Sequence, residues 1–196
     1  MRKFPVRLWI LSMFLLLVGV FYIKDAHAKS IDPHAQCGDI HFTEEQSYIL
    51  RTAYAYGSQP NEYLNNKFGS HVGHTLAAIV WRESFVGRHV VRYNTKDGDY
   101  GSWGVGHVQF TTYLHMKGYE NVYAVRNDTI YDYIERMLND DYFAIKVAYD
   151  YIVQDLARRT SSFHEMRKAY NGSGERAERY AVDISNRVNY LIECGV

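Results

Sequence analysis

The 196-residue sequence is poor in proline and cysteine, and it has no excess of charge of either sign. Only Pro60 follows position 33, so little of the chain beyond that point is barred from forming helices. Two cysteines are too few for a zinc site built from thiolates. Lysine plus arginine and aspartate plus glutamate number 22 each, which excludes the basic surplus typical of nucleic-acid-binding proteins. Repeats and low-complexity linkers are absent, which favours a single domain.

The one long apolar run lies at the start of the chain, at residues 8–23, after three basic residues and before Ala26-His27-Ala28. This pattern predicts a secretory signal peptide, residues 1–28, cleaved after Ala28. The run is shorter than the roughly 20 residues that cross a bilayer comfortably. The alternative is an uncleaved membrane anchor, with residues 8–23 as the membrane contact. In either case we expect an exported protein, in the periplasm, in the cell envelope or secreted.

The remaining residues, 29–196, carry 18 basic and 21 acidic side chains. We therefore expect no nucleic-acid partner, and affinity for a polysaccharide must come from a shaped cleft. Cys37 and Cys194 lie near the two ends of this part of the chain. A lone pair of cysteines in an exported protein predicts a disulfide, and two free thiols are the alternative.

Helical periodicity and capping residues predict one mainly α-helical domain with at most a small β-hairpin near Val90, Val91 and Tyr93. The predicted helices span residues 43–57, 60–67, 75–85, 111–117, 128–138, 140–157, 161–169 and 173 onward.

Glu83 is the candidate general acid. It falls in line with an apolar stripe of its helix, formed by Leu76, Ile79 and Val80. We expect burial there to raise the pKa of the Glu83 carboxyl, so that it holds a proton near neutral pH. The alternative is a surface glutamate paired with Arg82 or Arg88.

The segment after this helix is a loop punctuated by glycines at positions 98, 101, 104 and 106. Glycine lets a backbone approach a neighbour closely, so we expect this loop to approach a ligand.

Three short motifs follow one another in the chain. They are Glu83-Ser84; Ser102-x-Gly104 with His107 and Gln109; and Ala169-Tyr170-Asn171-Gly172. Together they resemble the soluble lytic transglycosylases, a family of the lysozyme-like superfamily related to goose-type lysozymes, over roughly residues 75–188. The resemblance implies a lysozyme-like domain over residues 29–196. In one respect the chain departs from the family: an ungapped match puts His107 where the family usually has glutamine, and Gln109 follows two residues later.

The resemblance implies an enzyme that cleaves the β-1,4 bond between N-acetylmuramic acid and N-acetylglucosamine in peptidoglycan, with a 1,6-anhydro product. Glu83 would be its acid and base, and Ser102 would hydrogen-bond near the substrate. His107 or Gln109 would line the cleft, with Tyr170 near the acid and Asn171 shaping the saccharide site. We expect a monomer that binds glycan strands and needs no cofactor.

Other functions stay open. A goose-type-lysozyme-like muramidase, such as a phage endolysin, would need a second carboxylate, for which Asp97 and Asp99 are candidates unless they are turn residues. A metal site could draw on four histidines, His71, His74, His89 and His107. Their spacing lacks an HExxH pattern, and we expect no metal. A further alternative is a non-catalytic module that binds the cell wall, which would not need Glu83 as an acid.

Overall fold

The computed structural model describes residues 30–92, 101–120 and 125–195. The predicted signal peptide or anchor of residues 1–28 lies outside the described residues, and so do Asp97 and Asp99. The described residues from Ile31 onward belong to one compact unit. No helix in the described part of the chain is both long enough and apolar enough to cross a membrane.

Helices form most of the described chain, which confirms the mainly α prediction. Their bounds are α1 Glu44–Gly57, α2 Glu62–Phe68, α3 Gly73–Ser84, α4 Phe110–Met116, α5 Asn127–Asn139, α6 Asp141–Tyr151, α7 Ala157–Arg159, α8 Phe163–Asn171 and α9 Gly174–Glu193. The strands, two residues each, are β1 Val91–Arg92, β2 Ser102–Trp103 and β3 Val108–Gln109.

Side-chain caps begin several of the helices. Thr43 and Gln46 form the capping box that the sequence predicts at the start of α1. Asn61, Asp140 and Ser162 each accept a hydrogen bond from the first turn of α2, α6 and α8. These caps satisfy backbone amides that have no partner within the helix, so helix starts could be predicted closely.

The helix predicted over residues 140–157 is interrupted. After α6 the chain forms one wide turn of π geometry, Ile152–Leu156, before α7 completes the segment. A π turn adds a residue to the helical turn without breaking its apolar character, so periodicity does not reveal it. Lys67 from α2 donates to the carbonyl of Ala157 at 2.6 Å and holds this end of the segment.

The core forms around α3, which packs against both α1 and α9. Residues on every side of α3 are buried, including Leu76, Ala78 and Val80. Residues 76–81 are apolar without a break and so reach every face of the helix, which suits α3 to the interior. Glu83 is held at the end of the most enclosed helix among those described.

The β structure is one small antiparallel sheet in the order β1-β2-β3. Val91 pairs with Trp103, and Ser102 pairs with Gln109. Two predicted site residues from the glycine-rich segment therefore lie opposite each other on neighbouring strands.

A disulfide and hydrogen bonds tie the N-terminal segment to α9. The predicted disulfide between Cys37 and Cys194 is present and joins residues 157 positions apart. Asp183 of α9 is buried, and it accepts a hydrogen bond at 2.8 Å from the backbone amide of Ile31. The same carboxylate pairs with Arg82 at 2.6 Å and with Arg187 at 3.1 Å, so two guanidinium groups offset the burial of its charge.

Candidate functional site

A cleft of about 680 Å³ brings the three sequence motifs together. Its walls come from the end of α3, the sheet, the start of α4, the end of α6 and the corner between α8 and α9. Every predicted substrate or acid residue within the described chain lines it: Glu83, Ser102, His107, Gln109, Tyr170 and Asn171.

Glu83 occupies the last turn of α3, with a side chain only 9% exposed. The alternative of a surface ion pair does not hold. Arg82 pairs with Asp183 instead, and the Arg88 guanidinium lies 5.7 Å from the centroid of the Phe85 ring. Neither arginine is therefore the ion-pair partner of Glu83, which faces the cleft.

The Glu-Ser motif has a structural reason. The Ser84 hydroxyl donates to the Val80 carbonyl at 3.0 Å and accepts from the Gly87 amide at 2.8 Å. It therefore closes α3 directly after the acid. Phe85, Val86 and Gly87 follow with φ of 52°, 55° and 82°.

This left-handed run is unfavourable for residues other than glycine. The Gln46 side chain supports it by donating to the Phe85 carbonyl at 3.1 Å. Strained backbone of this kind persists where the surroundings hold it in place, and here it adjoins the candidate acid.

His107 is a titratable partner of Glu83. Its Nδ1 lies 3.5 Å from Glu83 Oε2, and its side chain is 2% exposed. Its Nε2 lies 2.5 Å from the backbone oxygen of His89. His107 has φ of 47°, a left-handed conformation in which histidine is found more often than most residues.

The expectation of a raised pKa at Glu83 is wrong. Burial does raise the pKa of this carboxyl, but it is outweighed by the hydrogen bond and charge of His107, by the nearby Tyr180 hydroxyl and by the charge of Arg92. The net result is a pKa below the ordinary value, so the resting Glu83 is ionised at neutral pH. The stripe on α3 predicts burial, but it carries no information about neighbours from other elements.

Two tyrosines flank Glu83 from α8 and α9. Tyr170 donates its hydroxyl to the Gly106 carbonyl at 2.8 Å, and its ring stacks parallel to Tyr180 with centroids 6.4 Å apart. Burial and the charge of Glu83 raise the pKa of both tyrosines, so both stay protonated. The Tyr180 hydroxyl is buried near the Glu83 carboxylate, whose pKa it lowers, but it makes no hydrogen bond of ordinary geometry with any described residue.

Gly104 and Gly106 of the loop serve packing within the protein, whereas Gly98 lies outside the described residues. A Cβ at Gly104 would lie 2.8 Å from the Ala144 Cβ, and one at Gly106 would lie 2.7 Å from the Ala148 Cβ. Both neighbours belong to α6. The expected close approach is therefore made to a helix, and it seats the loop that carries His107.

Arginines lie around the cleft, although no sequence pattern predicts a role for them. Arg92, Arg159 and Arg176 line it, and Glu83 is the only carboxylate among the described lining residues. Arg159 also pairs with Asp155 at 3.3 Å. No motif marks these arginines, because they come from β1, α7 and α9. Tyr151 and Tyr180 were missed for the same reason.

The histidines proposed for a metal do not converge. The His71 and His74 rings have centroids 6.4 Å apart and both pack against Tyr54, whereas His107 lies in the cleft. Within residues 30–92, 101–120 and 125–195, no three histidine, cysteine, aspartate or glutamate side chains gather in a metal-binding arrangement.

Comparison of this chain with protein-family models, with curated proteins and with solved structures finds no match.

Proposed function

We propose that this protein is a peptidoglycan lytic transglycosylase. It would cleave the β-1,4 bond between N-acetylmuramic acid and N-acetylglucosamine and leave a 1,6-anhydro end. The observation that carries the proposal is the buried carboxylate of Glu83, the only carboxylate among the described residues of a cleft whose polar walls come from the three motifs that resemble this family.

The chemistry needs one group that first donates and then accepts a proton. Glu83 would protonate the glycosidic oxygen as the bond to the anomeric carbon breaks. It would then accept the proton of the muramic C6 hydroxyl, whose oxygen attacks the anomeric carbon of the same sugar. Because the nucleophile is intramolecular, no second carboxylate is required to activate water.

The other lining residues suit a glycan. Ser102, Gln109 and Asn171 present hydroxyl and amide groups to the cleft, and Tyr151 and Tyr170 present aromatic rings. The proposed partner is therefore the glycan strand of peptidoglycan. The disulfide supports a location in an oxidising compartment, in line with the export that the first 28 residues predict.

The product separates the proposed activity from muramidase activity. Purified peptidoglycan is digested, and the muropeptides are weighed by mass spectrometry. We expect 1,6-anhydro ends, which are lighter by one water than hydrolysis products. Reducing ends would contradict the proposal and transfer the assignment to a hydrolase, with Asp97 and Asp99 as candidates for its second carboxylate.

Glu83→Gln tests the acid directly, since the amide keeps the shape but neither delivers nor takes the proton. We expect activity to fall by at least about 10²-fold, with the fold retained by circular dichroism. The matched control is Glu135→Gln, because Glu135 is an exposed glutamate on α5. A folded Glu83→Gln protein with wild-type activity would refute the role.

A further inference from the structure

His107 is held by both of its ring nitrogens. A backbone carbonyl only accepts hydrogen bonds, so the 2.5 Å contact with the His89 oxygen requires a hydrogen on Nε2. When the imidazole is neutral, Nδ1 is therefore a bare acceptor. That acceptor faces Glu83 Oε2 at 3.5 Å, away from solvent.

Two bare acceptors facing each other in a buried site repel, so one proton belongs between Nδ1 and Oε2. It resides on either His107 or Glu83. The surrounding described groups favour the carboxylate form of Glu83. Arg92 approaches from β1 with a positive charge, and Tyr180 from α9 contributes a neutral hydroxyl. Tyr170 of α8 donates to Gly106 instead, and Arg82 on α3 is paired with Asp183.

We infer that Glu83 and His107 act as a one-proton couple, in which His107 stores the proton that Glu83 delivers. His107 is thus a positioning residue that acts through Glu83. The lowered pKa of Glu83 agrees with a resting state in which the proton is on His107. An amide at position 107 could hydrogen-bond to Glu83, but it could not store the proton.

The catalytic half of this inference rests on the proposed function. In that reaction the proton passes from His107 Nδ1 to Glu83 Oε2 and on to the glycosidic oxygen as that bond breaks. Glu83 then takes the proton of the C6 hydroxyl and returns it to Nδ1. One proton leaves the couple and one enters, so the couple ends each turnover as it began.

The couple itself is tested without substrate, on wild-type protein labelled with ¹⁵N in its histidines. We expect the His107 ring to keep its hydrogen on Nε2 at every pH at which the protein is folded. A neutral ring with the hydrogen on Nδ1 and a bare Nε2 would overturn the inference, whatever the enzyme does.

A second measurement follows the ¹³C signal of the Glu83 carboxyl against pH in wild type, His107→Asn and His115→Gln. Asparagine tolerates a left-handed backbone, and His115 is an exposed histidine on α4. We expect the Glu83 midpoint to move to higher pH in His107→Asn and to stay in place in His115→Gln. An unchanged midpoint in folded His107→Asn would overturn the couple.

Kinetics test the role in turnover. We expect His107→Asn to lower kcat by at least about tenfold with little change in KM, and to displace the alkaline limb of the pH profile, whereas His115→Gln changes neither. A shifted Glu83 midpoint with wild-type kcat would overturn proton storage and leave a structural pair. If the wild type itself releases no muropeptides, the proposed function fails, while the two titrations still decide the couple.

Discussion

At the scale of single residues, the charge of Glu83 is decided by groups that lie far from it in sequence. Its side chain is 9% exposed, and burial by itself would favour the protonated acid. The hydrogen bond and charge of His107, with the Tyr180 hydroxyl and the charge of Arg92, outweigh that preference and lower the pKa of Glu83. The ionised form is therefore favoured in the folded protein over the unfolded chain, and this difference links Glu83 to stability.

We predict that Glu83 contributes to stability at neutral pH and loses that contribution in acid. Its pKa in the folded protein is lower than in the unfolded chain, where it is near the ordinary value of 4.5. The contribution is thus present above the unfolded pKa and disappears as pH falls through the folded one. Thermal unfolding at pH 7, 4 and 3 should give wild type a higher melting temperature than Glu83→Gln at pH 7, and this difference should shrink as the pH falls. A difference that grows in acid would contradict the lowered pKa.

Two buried tyrosines differ in whether their hydroxyls are satisfied. Tyr133 donates to the Val108 carbonyl at 3.1 Å, whereas the Tyr180 hydroxyl has no such partner among the described residues. We predict that Tyr133→Phe lowers the free energy of unfolding by about 1–3 kcal/mol, because it leaves a buried carbonyl without its donor. Tyr180→Phe should lower it by less than Tyr133→Phe does, because the Tyr180 hydroxyl lies near the Glu83 carboxylate but makes no hydrogen bond of ordinary geometry.

Urea unfolding of the two variants beside wild type measures both effects. The two changes remove the same atom from similar depths, with Tyr133 2% and Tyr180 4% exposed. Each variant is therefore the control for the other. Equal losses of stability would mean that the Tyr180 hydroxyl has a partner in solution.

At the scale of elements, the glycine-rich segment is shaped by the helix beneath it. Tyr170 and Tyr133 donate hydrogen bonds to two of its carbonyls, those of Gly106 and Val108. Gly104 and Gly106 let it lie directly on α6. His107 is carried on this segment, so its position relative to Glu83 depends on how closely the loop sits on α6.

We predict that Gly104→Ala destabilises the protein more than Gly118→Ala. Both glycines have positive φ, 71° and 80°, so both variants carry a similar backbone strain. A Cβ at Gly104 would also meet Met137 O and the Ala144 Cβ at 2.8 Å, whereas one at Gly118 meets nothing within 4 Å.

The difference between the two variants isolates the clash. It should be about 1–3 kcal/mol in the free energy of unfolding, the usual effect of overpacking. Denaturant melts of both proteins give this difference, and Gly104→Ala should also reduce activity by displacing the loop. Equal free energies of unfolding for the two variants would show that the loop can move away from α6 at no cost in stability.

At the scale of the whole molecule, the disulfide closes a loop between residues 157 positions apart. The chain-entropy model assigns such a loop roughly 5 kcal/mol, and measured values are often lower. We predict that Cys37→Ser with Cys194→Ser lowers the free energy of unfolding by about 2–5 kcal/mol. Thermal melts with and without reductant check this, since reductant should shift wild type towards the double variant and leave that variant unchanged. Labelling of both thiols in unreduced, denatured wild type would contradict the disulfide.

The net charge of the chain after position 28 differs in sign from the charge of the described residues that line the cleft. The chain after position 28 has more acidic than basic residues, yet the described residues that line the cleft include three arginines and one carboxylate. Composition therefore describes the surface as a whole and not the field at the site.

Much of the molecule was determined by local sequence. The helix starts at Thr43, Asp140 and Ser162 follow from side chains that cap the amides next to them. The interior position of α3 follows from apolar residues on all its faces. The disulfide follows from having two cysteines only. These properties depend on neighbours in sequence or on composition, so they can be derived without coordinates.

Only the tertiary structure decided how the site works. Glu83 is ionised because His107 and Arg92 arrive from later segments, and the tautomer of His107 is set by the His89 carbonyl. The glycines at 104 and 106 are required by α6, which begins more than thirty residues further along the chain. These are long-range contacts, and their energies depend on distances of a few ångströms that no periodicity encodes.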